Sequence, residues 1–158
     1  MTLDDQRAAL QGKLDRLAEE VAETEKALDA LDLRILRPMI TFTIPWPTQS
    51  QNVYGKGHWS KRHRATQRYE LALHGDMLRR RLTGWSAKGK RRVTITRYSS
   101  GTLDQGNLVG GCKPLIDAMV RLGLLVDDTP ELLEDHYAQV KIPRKEMPRT
   151  AVEIEDAA

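Results

Sequence analysis

Apolar residues near the start of the chain recur at steps of three, four or seven: Leu3, Leu10, Leu14, Leu17, Val21, Leu28, Leu31 and Ile35, with the polar Thr24 filling one position of the seam. A heptad stripe sustained over about four repeats, with no proline inside it, predicts a coiled-coil helix over residues 2–37. Thr2 or Asp4 can cap its start, Gly12 lies off the seam, and Pro38 ends it. The period then changes from helical to alternating. Residues 39–44 (MITFTI) read as a strand closed by Pro45-Trp46-Pro47, and a polar loop follows through Ser50, Asn52, Gly55 and Gly57.

Helical character returns near Ser60 and runs to about Leu82, with Leu71, Leu78 and Leu82 sharing one face. After a polar turn over residues 84–89, residues 92–98 (RVTITRY) form a second strand, and a Ser-Ser-Gly-Thr loop delivers Leu103-Asp104. Gly110-Gly111 reads as a break before Lys113, with Pro114 in the first turn of the helix that follows. Leu115, Ile116, Met119 and Leu122 give that helix an apolar face, and Gly123 caps it. Residues 130–133 suggest a short helical turn. Residues 136–142 and 151–155 read as the last strands, joined by a basic turn at 143–149. The order is a coiled coil over 1–37, then β-α-β-α-β-β over 38–158: a small α/β (α+β) domain with a mixed sheet and packed helices.

Composition narrows the setting. Of the 158 residues 40% are hydrophobic and 30% charged, and no apolar run approaches the roughly 20 residues that cross a bilayer. The first residues lack the charged-then-apolar plan of a signal peptide. Cys112 is the only cysteine, which excludes an intrachain disulfide framework and a thiolate zinc cluster. A cytoplasmic protein with no membrane partner is the expectation. The net charge of +3 conceals an asymmetry: residues 1–37 hold six Lys/Arg against nine Asp/Glu, and the remainder holds 19 against 13. Between positions 56 and 97 thirteen Lys/Arg face only Glu70 and Asp76. Such a block is an electrostatic footprint for nucleic acid, and a solvated basic face is the simpler alternative.

Within this basic chain, residues 103–128 (LDQGNLVGGCKPLIDAMVRLGLLVDD) space Asp104 and Asn107, Lys113, Asp117, and the pair Asp127–Asp128 around a helix. Carboxylates converging from separate elements suit a hard divalent ion, which lowers the pKa of a bound water and neutralises charge on a phosphate. A lysine beside it can stabilise the pentavalent phosphate or the departing oxygen. Each residue also has a plainer explanation. Asp104 is a cap after a turn, Lys113 and Asp117 are an i,i+4 ion pair, and Asp127-Asp128 caps the next turn.

Taken together, these residues resemble the RusA-like Holliday-junction resolvases, small phage and prophage endonucleases. The pattern begins with Pro45-Trp46-Pro47, Ser50 and Asn52. It continues through Asp104-Gln105-Gly106-Asn107-Leu108, Lys113, Asp117-Ala118-Met119, Gly123 and Asp127-Asp128. The likeness covers residues 40 to the C-terminus and leaves the coiled coil outside it. It implies a RusA-like fold and a homodimer, or a tetramer paired through the coiled coil, that nicks four-way junctions in a bacterial host with Mg²⁺ or Mn²⁺. The resemblance assigns Lys113, Asp104 and Asp128 as catalytic, with Asp104 and Asp128 as metal carboxylates and Asp127, Asp117 or a water able to complete the set. Gly106 stands where the family pattern has another metal-binding aspartate. The alternative that this departure raises is a catalytically weakened protein that binds branched DNA selectively. For phosphate contacts the candidates are Lys56, Lys61, Arg62, Arg64, Arg68, Arg79, Arg80 and Arg81, with Asn107 beside them, while His58 and Trp59 could stack on an opened branch point.

Overall fold

The computed structural model describes residues 3–35, 39–55, 59–82 and 86–157. It divides into two compact units, Met1–Pro38 and Met39–Ala158. The first is a single helix, α1 (Leu3–Ile35), as the uninterrupted apolar stripe requires. Leu10, Leu14, Leu17 and Val21 on it are 54–61% exposed, so this part of the stripe stands uncovered. The side chains of Leu3, Leu28, Leu31 and Ile35, and all of Pro38, lie outside the described residues, as do Gly57 and Gly84.

The second unit runs β1 (Ile40–Ile44), α2 (Gln51–Gly55), α3 (Trp59–Arg79), β2 (Arg91–Ser99), α4 (Gln105–Arg121), β3 (Leu133–Lys141) and β4 (Arg149–Asp156). Its four strands form one mixed sheet in the order β1-β4-β2-β3. β2 and β3 are parallel and joined through α4, and the other pairings are antiparallel. β4 lies between β1 and β2. Its Val152 and Ile154 therefore oppose Phe42 and Ile40 on one side, and Ile95 and Val93 on the other. Strict alternation puts all six of these side chains on one face, where they are buried. The open face is polar. There Arg92 reaches across two strands, donating from Nε to Glu134 (2.9 Å) and from Nη1 to Glu155 (3.1 Å).

α3 and α4 cover the apolar face. α4 presents Leu108, Cys112, Leu115, Ile116 and Met119 at steps of three and four, and α3 presents Tyr69, Leu73 and Met77. Each fully buried leucine or isoleucine contributes about 1.5–3 kcal/mol. The face of α3 differs from the one expected. Leu71 and Leu78 are exposed, because a helix offers one stripe to a sheet and residues 66, 69, 73 and 77 occupy it. α2 is a further departure: one short helix forms inside the stretch read as loop. Residues 130–132 are a hydrogen-bonded turn rather than helix, and β3 begins directly after it at Leu133.

The largest correction concerns α4. Gly110-Gly111 does not break the chain; both glycines lie inside a helix that starts at Gln105, so Pro114 is in its interior. The physical reason for Gly111 is proximity. A Cβ there would stand 1.8 Å from the Gln49 carbonyl oxygen, so only glycine lets α4 lie against the chain at residues 49–51. Pro114 has no N–H to give the Gly110 carbonyl four residues earlier. The helix ends as expected, with Gly123 at φ +73° just past the C-cap Leu122.

Two substitutions separate these glycines. Gly111→Ala forces α4 off the 49–51 backbone and is expected to lower unfolding free energy by about 1–3 kcal/mol in urea titrations. Gly106→Ala meets only Asp104 Oδ1, at 3.5 Å, and is expected to leave stability unchanged or raise it by up to about 1 kcal/mol.

Candidate nucleic-acid interface

Asp104 follows β2 and its loop and becomes the N-cap of α4. Its Oδ1 accepts the Asn107 backbone N–H (3.0 Å), and its Oδ2 accepts from Asn107 Nδ2 (2.6 Å). Ser50 Oγ donates to Asn107 Oδ1 (2.9 Å), which ties the loop before α2 to the same helix end. These bonds, that from the Asn107 backbone first and that from its side chain second, hold the Asp104 carboxyl below the usual carboxylate range. Two residues support this corner from the sheet. Gln139 pairs both its amide groups with the Leu103 backbone (2.9 and 2.6 Å). Arg97, buried, donates to the carbonyls of Thr48 (3.0 Å) and Gly101 (2.6 Å) and so holds the loops on either side of the cap.

A second cluster sits further along α4. Lys113 Nζ lies 3.3 Å from Asp117 Oδ1 and also pairs with Asp128, which arrives from the loop after the helix. Arg62 of α3 contacts the other oxygen of Asp117 at 2.9 Å. Two cations and two carboxylates from three parts of the chain thus interlock at a half-exposed surface. Asp127 turns its carboxylate to the Asp128 backbone N–H (2.8 Å). Asp104 and Lys113 are nine residues apart, about 13 Å along the helix axis at 1.5 Å per residue. Gly106, by contrast, lies on the Lys113–Asp117 stripe, since 106, 110, 113 and 117 fall on one face at helical spacing.

Carboxylate oxygens of this kind are the donors that Mg²⁺ takes, and one or two from the protein can suffice. Among the described residues, however, no three His, Cys, Asp or Glu side chains form a group able to hold a metal. The capping bonds of Asp104 and the Lys113–Asp128 pair engage the carboxylates that the sequence proposes as ligands. Cys112, about two turns into α4, is buried; burial pushes its thiol up to about 11 and leaves it unreactive.

The basic residues divide into two groups. Lys61, Arg62, Arg64 and Arg68 lie on the first half of α3, where the Arg68 guanidinium stacks 4.0 Å over the Trp46 ring. Arg79, Arg80 and Arg81 are at the far end, about 25 Å away along the axis. Arg79 pairs with Asp76, and Arg80 bonds Asp76 and the Thr41 carbonyl, so these two serve local structure. Arg81 adopts φ +56° at the turn that ends the helix. Trp59 is 81% exposed and does not pack on a strand. Lys56 and His58 lie outside the described residues.

Sequence reasoning passed over Arg97, Gln139, Tyr54, Asp135 and Tyr137. Arg97 carried a signal: it shares the buried phase of Arg91, Val93 and Ile95 in β2, where a charged group needs a structural partner. Asp135 and Tyr137 belong to β3, which begins three residues before the strand expected from sequence.

The cap has a pH signature. Its carboxyl is depressed in the folded state, so its stabilisation is present above the ordinary carboxylate range and is lost as pH falls through the lowered value. Asp104→Asn should therefore melt below the parent at neutral pH, and the gap in Tm should close as the medium is acidified below that range.

No protein-family model matches the chain, and no curated protein matches it. The side chains themselves carry the functional reading.

Proposed function

We propose that the chain acts on branched DNA as a RusA-like junction endonuclease that uses Mg²⁺ or Mn²⁺ in a bacterial cytoplasm, encoded by phage or prophage. The observation that carries this reading is the meeting of Arg62, Lys113, Asp117 and Asp128, from two helices and a loop, within the segment that resembles the resolvase motif. To hold the metal, Asp104, Asp127 and Asp128 would have to leave the Asn107, Asp128 N–H and Lys113 partners they have here; the metal would then supply charge neutralisation at the phosphate and a more acidic attacking water. Lys113 needs no long movement to serve a phosphate. Partly exposed ion pairs are worth only a few tenths to about 1 kcal/mol each, so a phosphate oxygen can replace Asp117 or Asp128 as its partner. Arg62 can exchange Asp117 for phosphate in the same way, and Lys61, Arg64 and Arg68 extend the cationic surface along α3.

A second reading has its own observation. Gly106 supplies no carboxylate on the Lys113 face, and the described side chains do not assemble three acidic ligands. This favours a structure-selective binder of branched DNA whose cleavage is weakened. The uncovered seam at Leu10, Leu14, Leu17 and Val21 supports self-association through α1, as a dimer or as a tetramer of paired dimers.

A labelled four-way junction with Mg²⁺ or Mn²⁺ tests the proposal. Symmetric incision is expected, and tight binding without incision would overturn the enzyme reading while keeping the binder. Room exists for the missing carboxylate, since a Cβ at 106 touches only Asp104 Oδ1 at 3.5 Å. Gly106→Asp is expected to raise the cleavage rate at least tenfold, a change of about 1.4 kcal/mol in barrier. For the helix, removing residues 1–37 should lower the solution mass by more than the deleted residues account for, as measured by light scattering.

A further inference from the structure

We propose that the cavity beside Lys113 receives one unstacked nucleotide of a DNA strand, and that Asp135 selects a base bearing an exocyclic amino group. The inference rests on the DNA reading above and adds the occupant of a particular pocket. The cavity measures about 360 Å³ and opens between α2, α3, α4 and β3. That is near the lower end of the roughly 300–1,000 Å³ of ligand pockets, a size for one small group rather than a duplex. Arg62 and Lys113, the two cations of the interlocked cluster, line it and can take a phosphate. The half-buried rings of Tyr54 and Tyr137 also line it, and aromatic faces hold unpaired bases by stacking.

The polar groups in the wall then restrict the base. Asp135, an exposed residue that lines the cavity, accepts the Tyr137 hydroxyl on Oδ2 (2.6 Å), which leaves Oδ1 as a further acceptor. Gln51 is the adaptable member, able to donate or accept. The Asp135 carboxylate favours a base edge that presents N–H groups, because a carboxylate is the natural partner of an exocyclic amine. Tyr54 also lines a neighbouring cavity of about 290 Å³ with Trp46, Arg64 and Arg68, so the strand has an aromatic and cationic path on either side of α2.

Fluorescence anisotropy of the full chain with short labelled single strands tests this apart from junction cleavage. Three strands are compared: one of deoxyadenosine, one in which deoxynebularine, the same purine without its amino group, replaces each residue, and one containing abasic sites. The adenine strand is expected to bind about fivefold or more tightly than either. Asp135→Asn is expected to bring the adenine and nebularine strands within about twofold of each other, and Gln51→Ala to weaken all base-bearing strands while sparing the abasic one. Equal binding of all three strands by the parent protein would overturn the proposal. So would displacement of the adenine strand by an equimolar amount of free deoxyadenosine monophosphate, which would assign the pocket to the free nucleotide. Four-way junction binding is measured alongside. Its loss with base preference retained would sink the junction reading alone, and its retention with no base preference would sink the pocket alone.

Discussion

The close passage of α4 against the chain at residues 49–51 is the contact on which the rest of this molecule depends. It requires a hydrogen in place of a side chain at Gly111, where the Gln49 carbonyl oxygen approaches. From that one contact the neighbouring geometry follows. Ser50 comes within reach of Asn107, which completes the capping of α4 by Asp104. Two residues past Gly111, on the partly exposed side, Lys113 pairs with Asp117 and Asp128 rather than facing the core. The apolar side of the same helix closes the sheet through Cys112, Leu115 and Met119. Packing and polar chemistry are therefore not separable in α4; a shift of the helix would move both.

The charges of the site share their partners. Lys113 has two carboxylate partners and Arg62 has one of the same pair, and all four groups remain within reach of water. In such a setting the pairs add little to stability. They do keep two cations on a shared carboxylate, so that under the proposed function less side-chain freedom would be lost on meeting a phosphate. Arg97 behaves oppositely. It is buried, it bonds only to backbone carbonyls among its described partners, and it fixes the loops at both sides of the Asp104 corner. Desolvation lowers its affinity for the proton, a cost that the carbonyls on either side offset.

Much of the fold was legible wherever the apolar period was strict. α1, β1, β2 and β4 lie close to where their patterns put them, because each alternates or repeats without competing signals. α4 was misjudged at its start. Two adjacent glycines are ordinarily punctuation, and what they meant here depends on residues 49–51, some sixty positions away in sequence. The face of α3 was misjudged because leucine is not the only residue that can fill a core stripe; Tyr69 and Met77 do so here. Of the site, the Lys113–Asp117 pair followed from i,i+4 spacing, while Asp128 joining it was implied only by the family resemblance. Arg62 as their neighbour did not, nor did the division of the arginines between the two ends of α3. Both depend on how the helices cross, which no local pattern encodes.

The position of β4 has a bearing on how the molecule is made. This strand comes last of the four in sequence yet sits inside the sheet, paired on both edges with β1 and β2. A chain emerging from the ribosome can form its helices and the β2-α4-β3 crossover early, but β1 has no partner until residues 149–156 appear. During that interval Ile40, Phe42 and Ile44 face solvent on an unpaired edge, the kind of segment that recruits other chains. The order of strands thus makes the emergence of β4, rather than of β1, the step at which this domain commits to a single structure.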